Sequence, residues 1–149
     1  MTEQPDPKTP FLEQVMAQGH LSAASAQAAT KVMFRILRDM MPHQESDAIA
    51  QALQKADAEA AHQAADLWAD PNVVVALFSR INPLRPLTIG YQTVMLRLEE
   101  ESGLPEGVKP ERAALAIFSA IKRALPEASR QAIAACLPAD GLRQMWERA

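Results

Sequence analysis

The sequence predicts an all-α fold, a compact helical bundle of about seven to eight helices built from two tandem helical repeats. The composition favours helices, because residues that lead the helix scale are plentiful and only 5 of the 149 residues are glycine. Apolar residues recur at helical spacing between proline stops, and no second segment is suited to pair as a strand. One such helical pattern also occurs twice.

The two copies of the pattern carry similar residues in the same order. The first copy contains Ala29, Met33, Phe34, Leu37, Met41, Pro42, Ile49, Ala50 and Leu53. The second contains Ala113, Ile117, Phe118, Ile121, Leu125, Pro126, Ile133, Ala134 and Leu137. Each copy closes with a tryptophan, Trp68 or Trp146. A repeated pattern predicts the same supersecondary unit twice, so we expect Phe34 and Phe118 to be buried at matching places.

The chain divides into four segments that together fit one compact domain. Residues 1–9 are a polar, proline-bearing segment that we expect to be a disordered tail. Residues 10–69 form the first helical repeat, residues 70–87 an apolar connecting helix with a proline-rich linker, and residues 88–149 the second helical repeat.

Capping residues predict the first two helices. Thr9 can cap a helix with Pro10 at its first position, and Gly19 is its expected stop. Ser22 or Ser25 begins a long second helix with one apolar stripe. The stripe consists of Ala29, Met33, Ile36, Leu37 and Met40.

Pro42 ends the second helix, and a third begins near Ser46 and continues to Trp68. The corresponding stretch of the second copy is shorter and contains Pro138. We therefore expect two short helices to be fused into one in the first copy.

The connecting segment begins with a helix start at Asp70 and Pro71. The valines at 73–75 would also suit a strand, but a helix is preferred because no partner strand exists. Residues 82–87 contain three helix breakers and cannot be helical throughout.

The second repeat predicts four helices. Their expected starts are Thr88, Pro110, the neighbourhood of Ile133, and Asp140. Gly103 ends the first of these helices and Pro126 ends the second.

The C-terminal run at 137–146 resembles a signature of the form Leu-Pro-x-acidic-x-x-Arg-x-x-Trp. This signature is similar to that of a bacterial family known as domain of unknown function 2267, typically a tandem pair of helical repeats. The matching helix openings are Phe11-Leu12-x-x-Val15 and Val94-Met95-x-x-Leu98, and the long-helix ends are Met41-Pro42 and Leu125-Pro126. The resemblance covers about residues 10–68 and 88–146, although the first copy lacks the Leu-Pro signature. It implies an all-helical bacterial protein of unassigned activity, and it brings no catalytic or binding residues.

Charge and hydropathy restrict the class of partner. The net charge is −3 and no basic cluster appears, which disfavours nucleic acid. No apolar run reaches the ~18 residues of a membrane helix, so no membrane partner is expected. The lone Cys136 and the absence of a signal-peptide pattern favour a cytoplasmic location.

The sequence contains no recognisable catalytic, cofactor-binding or metal-binding set. His20, His43 and His62 lack the spacing of a helical metal pair, and surface positions are preferred for them. Cys136 lies on an apolar face and is expected to be a buried structural thiol. We therefore predict no enzymatic activity, no cofactor and no metal.

Two groups of apolar residues admit a second interpretation. Met33, Met40 and Met41 share the apolar stripe of the second helix and are expected in the core, with a compliant groove for a partner helix as the alternative. The connecting segment supplies the candidate interaction surface, which consists of Val73, Val74, Leu77, Phe78, Ile81 and Leu84. Residues 73–87 either pack between the repeats or face a partner or second subunit.

These observations favour a non-catalytic cytosolic module for protein–protein interaction or an adaptor role. Its expected partner is a protein, and a homodimer is an alternative. A small-molecule or lipid-binding helical bundle, with the ligand held between the copies, is the second hypothesis. An uncharacterised enzyme is the third, and it would need convergent polar groups in a pocket.

Overall fold

The computed structural model describes residues 11–55, 64–65, 67–68 and 89–149. Seven helices with defined bounds occur in these residues: α1 Phe11–Gly19, α2 Ala23–Asp39, α3 His43–Lys55, α4 Tyr91–Glu101, α5 Pro110–Ala124, α6 Glu127–Cys136 and α7 Gly141–Arg148. The described ranges contain no strand. The predicted all-α class is confirmed.

Helix α2 begins where its serine cap predicts. Ser22 is the N-cap, and its Oγ accepts a hydrogen bond from the backbone N–H of Ser25 at 3.2 Å. This bond satisfies one of the donors that a helix start leaves unpaired. All five residues of the predicted stripe are buried. The cap predicted for α1, at Thr9 and Pro10, lies outside the described residues.

Helix α1 ends at Gly19, the predicted stop, but the left-handed residue that follows a helix end is the next one. His20, rather than Gly19, adopts the left-handed conformation, with φ +55°. The N–H of Leu21 donates to the carbonyl oxygen of Met16 at 3.0 Å, which is the bond that closes a Schellman motif. A Cβ at Gly19 would lie 3.0 Å from Leu21 Cδ1 and 3.5 Å from Ala116 Cβ. Gly19 is therefore suited to close packing of α1 on α5 rather than to a positive φ.

Pro42 and Pro126 begin helices as well as ending them. The carbonyl oxygen of Pro42 accepts bonds from the amides of Glu45 and Ser46, each at 3.1 Å, so α3 begins before the predicted Ser46 start. Pro126 is the N-cap of α6, and its carbonyl oxygen accepts from the amide of Arg130 at 3.1 Å. The predicted start near Ile133 is therefore too late. An N-cap residue needs only its carbonyl to start a helix, and proline retains that group.

Helix α4 begins at Tyr91, with Gly90 rather than the predicted Thr88 as its N-cap. Thr88 lies outside the described residues. Gly90 offers no side chain. The cap comes instead from Asp140, whose Oδ2 accepts from the amide of Tyr91 at 3.0 Å. The other carboxylate oxygen accepts from the amide of Leu142 at 2.9 Å. One carboxylate thus caps both α4 and α7.

The helices of the two halves pack across each other. Helix α1 packs on α5, α4 packs on α2, α2 also contacts α5, and α3 contacts α6. The first helix of each half therefore packs on the second helix of the other half. Two copies related by a two-fold axis would give this exchange. The buried apolar residues of both halves form a single continuous core.

Each half buries a phenylalanine against its closing tryptophan. The rings of Phe34 and Trp68 are 5.1 Å apart at 63°, and those of Phe118 and Trp146 are 5.3 Å apart at 80°. Both pairs have the edge-to-face arrangement that aromatic quadrupoles favour. Phe34 is 1% exposed and Phe118 is 0% exposed, so the predicted burial of both is confirmed.

The methionines predicted for the core are buried. Met33, Met40 and Met41 all belong to the apolar core. The alternative of a compliant surface groove formed by these three residues is therefore wrong, because their side chains are already covered by the protein's own helices. None of the helices in the described ranges combines the length and apolar character needed to cross a bilayer.

Candidate functional site

The predicted interaction surface lies outside the described residues. All six of its members, Val73, Val74, Leu77, Phe78, Ile81 and Leu84, fall in the range 69–88. The predicted fusion of two helices before Trp68 also involves residues outside the described ranges. His62 lies outside these ranges too. These predictions stay predictions.

The histidine whose side chain is described makes a contact that the sequence did not suggest. His20 is exposed, and its Nε2 lies 2.9 Å from Arg112 Nη2. Because a guanidinium can only donate, the imidazole nitrogen must accept this hydrogen bond. The Nε of Arg112 also donates to the carbonyl oxygen of Gln18 at 3.3 Å. Arg112 thus ties the end of α1 to α5.

Cys136 is half-buried rather than fully buried as predicted. Its thiol donates to the carbonyl oxygen of Ile133 at 3.0 Å. Burial raises the pKa of the thiol to about 11, and the nearby Glu45 carboxylate contributes to the rise. A thiol is nucleophilic only as its thiolate, so this environment keeps Cys136 unreactive near neutral pH.

An open groove follows the outer face of α5. The remaining faces of α5 are buried, since this helix contacts α1, α2, α4 and α7. The groove has a volume of about 690 Å³. It is lined by Gln18, Gly107, Lys109, Glu111, Arg112, Leu115, Ala116, Ser119, Arg148 and Ala149. We call this feature the α5 groove.

The floor of the α5 groove is formed by α5 itself. Glu111, Leu115 and Ser119 follow one another at i, i+4 and i+8, so they share one face of the helix. All three are half-buried, and Ala116 beside them is buried. The end of α1 flanks this face at Gln18, and the end of α7 flanks it at Arg148 and Ala149.

The rim of the α5 groove is predominantly cationic. Lys109, Arg112 and Arg148 are exposed, and Glu111 is the one carboxylate side chain among the lining residues. That carboxylate lies near the hydroxyl of Tyr91. Burial raises the pKa of Tyr91, the Glu111 carboxylate raises it further, and Arg148 opposes the rise. Glu111 and Arg148 therefore both lie near Tyr91 at one side of the groove.

The interior between the two halves is closed where it is described. The void bounded by Phe11, Phe34, Trp68 and Ile121 and their neighbours has a volume of only about 10 Å³. A cavity of that size holds at most about one water molecule. The α5 groove is the larger concavity of the two.

Sequence reasoning did not predict the α5 groove. A signal was present, because Lys109 and Arg112 place positive charges at the N-terminus of α5, where the helix dipole favours negative ones. Charges placed against the dipole suggest a role other than helix stability. The face of α5 stays open because of where α1 and α7 lie beside it. Only the tertiary structure shows that placement.

The C-terminal signature residues all have structural contacts. Arg143 Nη2 donates to the carbonyl oxygen of Leu137 at 2.7 Å, and Asp140 caps two helices. Trp146 packs on Phe118, and the ammonium of Lys122 lies 5.5 Å from the centre of the indole ring. The signature therefore specifies how α7 docks on the bundle, and it contributes no reactive group.

Comparisons with known proteins agree with the resemblance carried by this signature. A family model described as an uncharacterised conserved protein, domain of unknown function 2267, matches residues 8–145. No curated protein is similar enough to the chain to count as a relative. Because the match spans nearly the whole helical part, the chain belongs to the domain of unknown function 2267 family.

Proposed function

We propose that the protein is a non-catalytic helical module that binds a protein partner through the α5 groove. The observation that carries the proposal is that α5, which contacts α1, α2, α4 and α7, leaves one face open along a groove of about 690 Å³. A concave surface with a half-buried apolar floor and a polar rim resembles the anatomy of protein interfaces.

The chemistry of the α5 groove favours binding over catalysis. Ser119 contributes the hydroxyl group among the lining residues of the groove. Within the described ranges this hydroxyl has no hydrogen bond to an imidazole or a carboxylate. Activation of a serine nucleophile requires such a base within hydrogen-bonding reach. The thiol of Cys136 is held protonated on another helix.

The remaining parts of the proposal concern architecture and location. The exchanged packing of α1 and α4 and the two phenylalanine–tryptophan pairs support two tandem helical repeats related by a two-fold axis. The single cysteine, which leaves no partner for an intramolecular disulfide, supports a reducing, cytoplasmic location. Self-association through the α5 groove, giving a homodimer, is the second form that such an interaction could take.

A ligand-binding bundle is the competing function. The small void between the halves argues against a ligand held there, because drug-sized ligands occupy roughly 300–1,000 Å³. The α5 groove itself falls in that range, but it is open along its length. Pockets of this class bury most of the ligand surface, so an open groove suits a peptide better.

Affinity capture with two matched variants tests the proposal. Leu115→Asp places a charge on the floor of the α5 groove. Leu96→Asp makes the same change at an exposed position of α4, where the leucine is 52% exposed. We expect partner capture from the native lysate, or self-association in sedimentation, to be lost with Leu115→Asp and retained with Leu96→Asp. A partner retained equally by both variants, or no partner and no self-association in the wild type, would refute the proposal.

A further inference from the structure

We infer that the α5 groove binds an acidic peptide segment of a partner protein, with an apolar side chain of the peptide seated on Leu115. This inference rests on the proposed interaction function and adds the chemistry of the partner. It follows from the charge of the rim, the shape of the floor and the short length of the groove.

The rim has an excess of positive charge on a protein that is negative as a whole. Lys109, Arg112 and Arg148 line the groove with Glu111, whereas the chain carries a net charge of −3. None of the three cations lies within ion-pair distance of a carboxylate in the part of the chain that the structure describes. Arg112 uses its Nε and one Nη on Gln18 and His20, which are neutral acceptors. Carboxylates brought by a partner would therefore pair with these cations without displacing an ion pair between described residues.

The end of α5 adds to the same preference. Lys109 is the N-cap residue, and its side chain makes no capping hydrogen bond. The helix dipole places partial positive charge at this end, and it favours an anion there. Lys109, Arg112 and the dipole therefore outweigh the single carboxylate of Glu111 at this end of the groove, so we expect the acidic residues of the peptide to lie towards Lys109.

The floor distinguishes a peptide from a nucleic acid. The half-buried side chain of Leu115 presents an apolar surface between the charged positions, which suits an apolar peptide side chain flanked by carboxylates. Single-stranded nucleic acids are held by aromatic side chains on which bases stack, and the lining residues include no aromatic. Duplex binding needs more clustered cations than three.

The length of the α5 groove limits the segment. Residues 111 to 119 cover about 12 Å along the axis of α5 at a rise of about 1.5 Å per residue. This distance corresponds to about two turns of a bound helix or about four residues of an extended peptide. A short linear segment is therefore sufficient to fill it.

Binding of three synthetic peptides to the full chain tests the inference. The peptides share one stripe of leucines over about three helical turns and carry Glu, Gln or Lys at all other positions. Fluorescence anisotropy is measured at low and at high salt. We expect the Glu peptide to bind about tenfold more tightly than the Gln peptide at low salt, which is the effect of a few surface ion pairs. The difference should shrink in high salt, because salt screens exposed charges.

Two charge-reversal variants complete the test. Lys109→Glu/Arg148→Glu reverses two rim cations, and Lys55→Glu/Arg123→Glu makes the same change at two exposed positions outside the groove. The control loses two favourable charges in last helical turns, so it should be at least as destabilised as the groove variant. We expect the groove variant to lose the preference for Glu over Gln and the control to keep it. Leu115→Asp should weaken binding of both peptides.

The outcomes separate the inference from the function on which it rests. Equal binding of the Glu and Gln peptides, with both sensitive to Leu115→Asp, would overturn the acidic partner but leave the groove as a docking surface. Stronger binding of the Lys peptide or of a single-stranded RNA oligonucleotide would overturn the inference. So would binding of every peptide more weakly than about 1 mM. The proposed function is tested separately, by partner capture with the Leu115→Asp and Leu96→Asp variants.

Discussion

Replacing Asp140 tests whether one carboxylate supports two helices. Its two oxygens accept hydrogen bonds from the amides of Tyr91 and Leu142, at 3.0 and 2.9 Å, so Asp140→Ala removes the caps of α4 and α7 together. Loss of one cap costs about 0.5–2 kcal/mol. We therefore expect the free energy of unfolding to fall by about 2–3 kcal/mol. The melting temperature should fall by about 4–12 °C, since each kcal/mol shifts a domain of this size by about 2–4 °C.

Asp140→Asn separates the two caps. Asparagine has one accepting oxygen where aspartate has two, so it can keep only one of the two hydrogen bonds. We expect about half the loss of the alanine variant, together with faster hydrogen exchange at the first turn of whichever helix, α4 or α7, loses its cap. Asp47→Ala, a change at an exposed position of α3, is the control. A loss below about 0.5 kcal/mol for Asp140→Ala, or exchange changes in that variant confined to α7, would refute the double cap.

Four further predictions concern the packing and the thiol of Cys136. Phe34→Ala and Phe118→Ala should each lower the free energy of unfolding by about 3–5 kcal/mol in denaturant titrations, and a loss below about 1 kcal/mol at either site would contradict the two-fold repeat. Gly141→Ala should lower the free energy of unfolding by about 1–3 kcal/mol, because the new Cβ would lie 2.7 Å from Tyr91 Cδ2. If adding Tyr91→Ala does not restore that stability in the double variant, the clash with Tyr91 is not the cause. Alkylation of Cys136 should be slow at neutral pH and half-maximal near pH 11, and rapid labelling of the folded protein at pH 7 would contradict the raised pKa. The unfolded thiol ionises near pH 9 and the folded one near 11, so stability should fall as the pH rises between these values, and less steeply in Cys136→Ala.

The exchanged packing of the helices makes the two halves depend on each other for stability. Helix α1 packs on α5 as well as on α2, and α4 packs on α2 as well as on α5, so each first helix is buried partly by the other half. A half of this kind alone would expose the faces that its counterpart covers. The core is consequently shared, and a substitution in one half is expected to destabilise both.

Prediction of the site was limited by the distance in sequence between its parts. The cations Lys109 and Arg112 were visible in the sequence and sit against the helix dipole, but their significance depends on the open face of α5. That face is bounded by Gln18 and Arg148, which lie 130 residues apart along the chain. The apolar pattern of residues 73–87 is local, so it can be read from the sequence. The helices that would cover it cannot be read in this way.

The sequence by itself determined the helical class, the buried stripes and most helix ends. These features depend on residues within one or two turns of each other, such as the spacing of Ala29, Met33 and Leu37 or the cap formed by Ser22. Tertiary structure decided the features that join distant parts of the chain. The cap that Asp140 provides to Tyr91, the bond of Arg112 to the end of α1, and the open face of α5 all depend on which helices lie side by side. Local periodicity shows which face of a helix is buried, but the neighbours of that helix decide what remains accessible to a partner.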